Sequence, residues 1–98
     1  MGTKRETIVC FRTDKRGDHK GDVTAVFPFE DEGRGLMACY AHIGQHSTCD
    51  AGWVTGNTRP ATAEEYADLK RELESAPYRY RLAIRDRFPS YRTRRAAR

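Results

Sequence analysis

The sequence predicts an α+β fold: a small antiparallel sheet of about four strands with one helix packed on one face, in β-β-β-α-β order. Three observations carry this reading. Short β-branched and aromatic runs alternate with glycine-rich, acidic turns. One capped stretch repeats apolar residues at helical spacing. Directly after it the apolar period falls to two, as in a half-buried strand.

Thr7-Ile-Val-Cys-Phe-Arg12 is the first expected strand, and the polar, glycine-punctuated run from Asp14 to Gly21 is a hairpin tip. Val23-Thr-Ala-Val-Phe27 is the second, ended by Pro28, which lacks the N–H that a central ladder requires. Glu30-Asp-Glu-Gly-Arg-Gly35 makes the next turn. Leu36 to Ile43 reads as a third strand, with Met37, Cys39, Ala41 and Ile43 on one face and Leu36, Ala38, Tyr40 and His42 on the other. Thr62 and Glu65 have capping-box spacing, so a helix is expected from Thr62 to Ala76, burying Tyr66, Leu69 and Leu73. Pro77 ends it. Tyr80, Leu82 and Ile84 then alternate with Arg79, Arg81, Ala83 and Arg85, giving a last strand with a basic outer face. Residues 1–89 are expected as one domain and 90–98 as an arginine-rich flexible tail.

Ninety-eight residues suffice for one modest core but not for a core plus a deep cleft. No apolar run is long enough for a membrane span, and the first residues lack a secretory stretch, so the cytoplasm of a bacterial host is the expected location. Three cysteines suit a reducing compartment better than a disulfide framework. The net charge of +4 is unevenly spread. From Tyr78 to Arg98 there are eight arginines against the single acid Asp86, whereas residues 1–77 carry ten Lys/Arg against thirteen acids. An arginine-rich end on an acidic body seeks phosphates or an acidic protein surface.

The densest chemistry lies in Cys39-Tyr-Ala-His-Ile-Gly-Gln-His-Ser-Thr-Cys49. Cys39, His42, His46 and Cys49 are the ligand types of zinc. On a continuous strand, however, residues three apart point to opposite faces, so all four converge only if the chain turns at Gly44. No metal or other cofactor is therefore expected, and Cys10 and Cys39 are read as buried thiols. His46 with Cys49, or His42 with His46, supplies types that nucleophilic or acid–base catalysis uses, but no phosphate loop or paired carboxylates accompany them. The chain is not expected to be an enzyme and has no catalytic residues assigned.

The runs Tyr40-Ala-His-Ile-Gly-Gln-His46 and Thr58-Arg-Pro-Ala-Thr-Ala-Glu-Glu-Tyr-Ala-Asp-Leu-Lys-Arg-Glu-Leu-Glu74, with Thr7–Arg12 and Val23–Pro28, resemble a group of small uncharacterised proteins encoded by bacteriophages and by integrated or conjugative elements. The likeness covers residues 7–86; cysteines at 39 and 49 depart from the group's pattern. With the small size, the compact α+β order and the split charge, this likeness supports the expectation of a non-enzymatic accessory protein that binds and modulates a host protein or ribonucleoprotein complex, as anti-defence inhibitors of the anti-CRISPR kind do. Expected binding residues are Tyr40, His42, Gln45 and His46. The alternative is weakly sequence-specific nucleic-acid binding through Arg79, Arg81, Arg85, Arg92, Arg94 and Arg95, with Tyr78, Tyr80, Phe88 and Tyr91 as stacking platforms.

Overall fold

In the computed structural model, which describes residues 6–41 and 45–97, β1 (Glu6–Asp14) is the strand around which the fold is built. Antiparallel β2 (Val23–Asp31) lies along one edge of it, with Cys10 opposite Val26. β3 (Leu36–Tyr40) and β4 (His46–Asp50) extend the sheet outward from β2, both antiparallel. Two strands share the other edge of β1. The Val9 carbonyl accepts from Arg85 N–H, and the Phe11 carbonyl accepts from Ala61 N–H. Carbonyls two residues apart point the same way. β6 (Arg81–Ile84) therefore pairs with the first half of β1, parallel, and β5 (Thr58–Pro60) with the second half, antiparallel.

The α+β class follows the sequence, but the described residues hold six strands and three helices rather than about four and one. β4 and β5 are five and three residues long, and β4 is a polar outer strand, so neither carries an apolar pattern. The helix α1 (Ala51–Asn57) contains two glycines and the β-branched Val54 and Thr55, a composition of low intrinsic helicity. Its start is fixed by Asp50, whose carboxylate accepts from Trp53 N–H at 2.7 Å. Pro28 does not end β2. The β3 register slips there, from Phe27↔Ala38 to Asp31↔Met37, so the missing N–H falls within an irregularity that asks for no ladder bond. The next turn is made by Gly33, Arg34 and Gly35, all at positive φ, a region where glycine is unstrained. β3 ends at Tyr40, earlier than expected. Ala41 N–H donates to the Gln45 carbonyl and Tyr40 pairs with His46, so the pairing of β3 with β4 starts there; the expected sites at His42 and Gly44 lie outside the described residues.

The second helix, α2 (Ala63–Glu74), is the one the sequence specifies best. Thr62 Oγ1 accepts from Glu65 N–H at 3.2 Å, and Glu65 Oε1 accepts from Thr62 N–H at 2.9 Å, closing the capping box. Leu69 and Leu73 are buried against Val9, Phe11, Ala25, Phe27 and Tyr40, while Tyr66 stacks on Phe11 with ring centroids 4.5 Å apart. At about 1.5–3 kcal/mol for each fully buried large apolar side chain, this face holds the main share of the hydrophobic stabilisation. The opposite face, expected to be open, is covered instead. Val26, Met37, Cys39 and Cys49 pack there beneath Val54 of α1, flanked by Trp53 and Phe88.

Buried Arg12 joins α1 to β1. Its Nε donates to Thr58 Oγ1 at 2.9 Å, and its Nη2 donates to the carbonyls of Thr58 at 3.0 Å and Val54 at 3.3 Å. A cation at the C-terminal carbonyls of a short helix is favourably placed for both hydrogen bonding and the helix dipole. Residues from Ser90 onward, read from sequence as a flexible tail, carry the helix α3 (Tyr91–Ala96), capped by Ser90 and with no buried residue. Among the described residues no helix is long and apolar enough to cross a membrane.

Candidate functional site

The β3–β4 hairpin distributes its chemistry between the two faces of the sheet. Tyr40 and His46 are opposite one another on the α2 side, with rings 4.7 Å apart, and Tyr78 meets both, at 5.3 and 5.5 Å. Tyr78 in turn stacks near Tyr80, which leans on Phe27. Tyr40 is fully buried and its hydroxyl donates to Glu72 of α2, which makes it part of the core rather than a contact residue. His46 is exposed at the end of this aromatic array, and Gln45 is exposed beside it. Tyr78 and Tyr80, expected as stacking platforms, are half-buried and occupied with one another.

Cys39 and Cys49 lie on the reverse face. Cys39 is opposite Ser47 and Cys49 opposite Met37, so the two thiols and His46 are on different sides of the sheet. The pairing of His46 with Cys49 considered for catalysis is thus not assembled. Among the described residues no three His, Cys, Asp or Glu side chains gather as a metal site would require. Burial pushes the Cys10 thiol up to about 11.

Two concavities adjoin these elements. The larger, an open groove of about 880 Å³, is lined by Cys39, Ser47, Cys49 and Trp53, and by Asp14, Asp22, Asp50, Glu65 and Asp68, with no lysine or arginine among its lining residues. Burial, and then the nearby Asp22, raise the Asp14 carboxyl above its ordinary value. Glu65 is held down to about 2, first by Arg59, whose guanidinium grips both carboxylate oxygens at 2.6 and 2.8 Å, and next by Thr62 N–H. Neither the Arg12 clasp nor this fork was visible in the sequence, because both join residues more distant than any local period reports.

The smaller cavity, about 460 Å³, is lined by Ile8, Phe29, Phe88, Arg85, Arg87, Ser90 and Thr93. Arg79, Arg81, Arg85, Arg87, Arg92 and Arg95 are all exposed. Arg94 is half-buried, its guanidinium 4.9 Å from the Phe88 ring centre and donating to the Pro89 carbonyl at 2.7 Å. This pins α3 to the segment that follows β6. Tyr91 is 60% exposed, the one large apolar side chain so placed among the described residues. No protein-family model, curated protein or solved structure matches the chain.

Proposed function

We propose that this chain is a non-enzymatic accessory protein that binds nucleic-acid-containing host machinery, with its C-terminal arginines as the contact to the nucleic acid. The observation that carries the reading is the exposure of Arg79, Arg81, Arg85, Arg87, Arg92 and Arg95 on a segment whose single acid is Asp86. Arg85 and Arg87 border a cavity that also holds Phe29 and Phe88, a combination of phosphate-seeking charge and aromatic surface suited to a single strand. The sequence carries no RNP, KH or helix-turn-helix pattern beside these arginines, so the contact is to backbone and stacked bases with little sequence preference. The resemblance to phage and integrative-element proteins supports an accessory role at a host complex. A mobility-shift titration with a labelled single-stranded oligonucleotide tests the reading. The full chain should retain the oligonucleotide at about 50 mM salt, and a chain ending at Pro89 should bind at least about 10-fold more weakly. Equal affinity of the two, or no binding by either, refutes it.

A second reading is favoured by the groove. Its five carboxylates and lack of lysine or arginine suit the basic surface of a host protein, as expected of an anti-defence inhibitor that occupies a nucleic-acid channel. In that case Asp22 and Asp50 replaced by Asn weaken a nuclease-resistant protein complex, and removal of α3 does not.

A further inference from the structure

Two of the three cysteines meet in a way that neither reading uses. Because Cys39 is opposite Ser47 and Cys49 opposite Met37, the two are diagonal neighbours on one face of the β3–β4 hairpin. Both belong to the same buried cluster, and their thiols are hydrogen-bonded to each other. Ser47 Oγ lies 3.1 Å from Cys39 Sγ. The Cys49 thiol and the Ser47 hydroxyl thus both adjoin one sulfur, that of Cys39. The bond from Cys49, and more weakly that from Ser47, lower the Cys39 thiol below its ordinary range against the opposing effect of burial, while the same contact and burial raise Cys49.

Access is the second requirement. Cys39 and Cys49 are 5% and 8% exposed, yet both line the open groove next to Trp53. β4 is the outermost strand on its side of the sheet, held by β3 alone, and four of its five residues are exposed. Cys10, by contrast, lines neither cavity and is completely buried.

We propose that Cys39 and Cys49 form a reactive dithiol that exchanges with low-molecular-weight disulfides of the glutathione class, Cys39 attacking and Cys49 resolving. The Cys39 thiolate displaces one sulfur of the small disulfide, forming a mixed disulfide and releasing the first small thiol as its thiolate. That thiolate takes the Cys49 proton; the Cys49 sulfur then attacks Cys39 Sγ and expels the second thiolate, which takes its proton from water. The protein dithiol is oxidised to a cross-strand disulfide and the small disulfide is reduced to two thiols. Since Asp50 both ends β4 and caps α1, the bridge fixes the hairpin to which α1 is directly joined.

Intact-protein mass spectrometry of the full chain in oxidised glutathione tests this. The wild type and Cys10→Ser should each lose two hydrogens without forming dimers. Cys49→Ser should accumulate one glutathione adduct, mapped by peptide digestion to Cys39, and Cys39→Ser should acquire none at Cys49. Independently of any variant, iodoacetamide should alkylate Cys39 of the folded wild type at least about 10-fold faster than Cys10, as thiolate content outweighs the lower nucleophilicity of a more acidic thiol. Alkylation of Cys39 no faster than Cys10, or glutathione-driven oxidation that yields only intermolecular dimers, overturns the proposal.

Discussion

Replacing Arg12 by leucine should detach one end of the molecule more than it weakens the whole. Three donor contacts would vanish, to Thr58 Oγ1 and to the carbonyls of Thr58 and Val54. Hydrogen bonds from a charged donor contribute about 1.5–3 kcal/mol each. Against that stands the desolvation of a buried guanidinium, several kcal/mol, which also lowers the Arg12 pKa. The net cost should be about 2–4 kcal/mol, since the Val54 carbonyl keeps its bond from Thr58 Oγ1 while the Thr58 carbonyl loses the side chain that served it. The chain has one tryptophan, Trp53, and it lies in α1, the helix that Arg12 holds. Urea unfolding followed by Trp53 fluorescence should therefore begin at lower denaturant than the transition seen by far-UV circular dichroism. Arg12→Lys, with the charge but without the fork, should fall between wild type and Arg12→Leu. A leucine variant within about 0.5 kcal/mol of wild type, with both probes coincident and unchanged emission, would refute the clasp.

Leu73→Ala, at a fully buried α2 position, should cost about 2–5 kcal/mol in urea unfolding, with both probes moving together; a shift under about 1 kcal/mol contradicts the packing of α2. Tyr40→Phe deletes the hydroxyl bonded to Glu72 and should lower stability by about 1 kcal/mol while leaving oligonucleotide affinity unaltered, as expected of a core residue. Glu65, depressed from an ordinary 4.5 to about 2, adds stability that is complete above pH 4.5 and is lost as pH falls through 2. Acid titration of Glu65→Gln should accordingly show a shallower loss across that window than wild type, and identical slopes would exclude the Arg59 fork as its cause.

The parts of this fold legible in the sequence are those encoded locally. The Thr62–Glu65 box and the Tyr66, Leu69 and Leu73 stripe each fit within one period of an element and are found in place. The last strand is there too, but it starts only at Arg81, and Ala83, expected on its basic outer face, is its most buried residue, with Leu82 and Ile84 half-buried. α1 was hidden because its helicity comes from burial of Val54 and from the Asp50 cap rather than from propensity. β5 is a strand only because β1 offers it an edge. Among the site residues, exposure separated those expected to bind. The arginines kept it except for Arg94, and Tyr40 lost it to the core, since one face of β3 is buried by α2. The Cys39–Cys49 contact depends on hairpin register, which Gly44 made conceivable but which no residue pattern specifies.

The salt dependence of oligonucleotide binding tests the central claim most directly. With Arg81, Arg85, Arg87 and Arg92 all replaced by glutamine in the full chain, the slope of log affinity against log salt should become shallower by about 0.7 for each lost phosphate contact on a single strand. Wild-type affinity should be restored by none of these four alone. An unchanged slope in the fourfold variant, with affinity lost instead on replacing the groove's Asp22 and Asp50 by asparagine, would contradict the account and move the binding surface to the acidic groove.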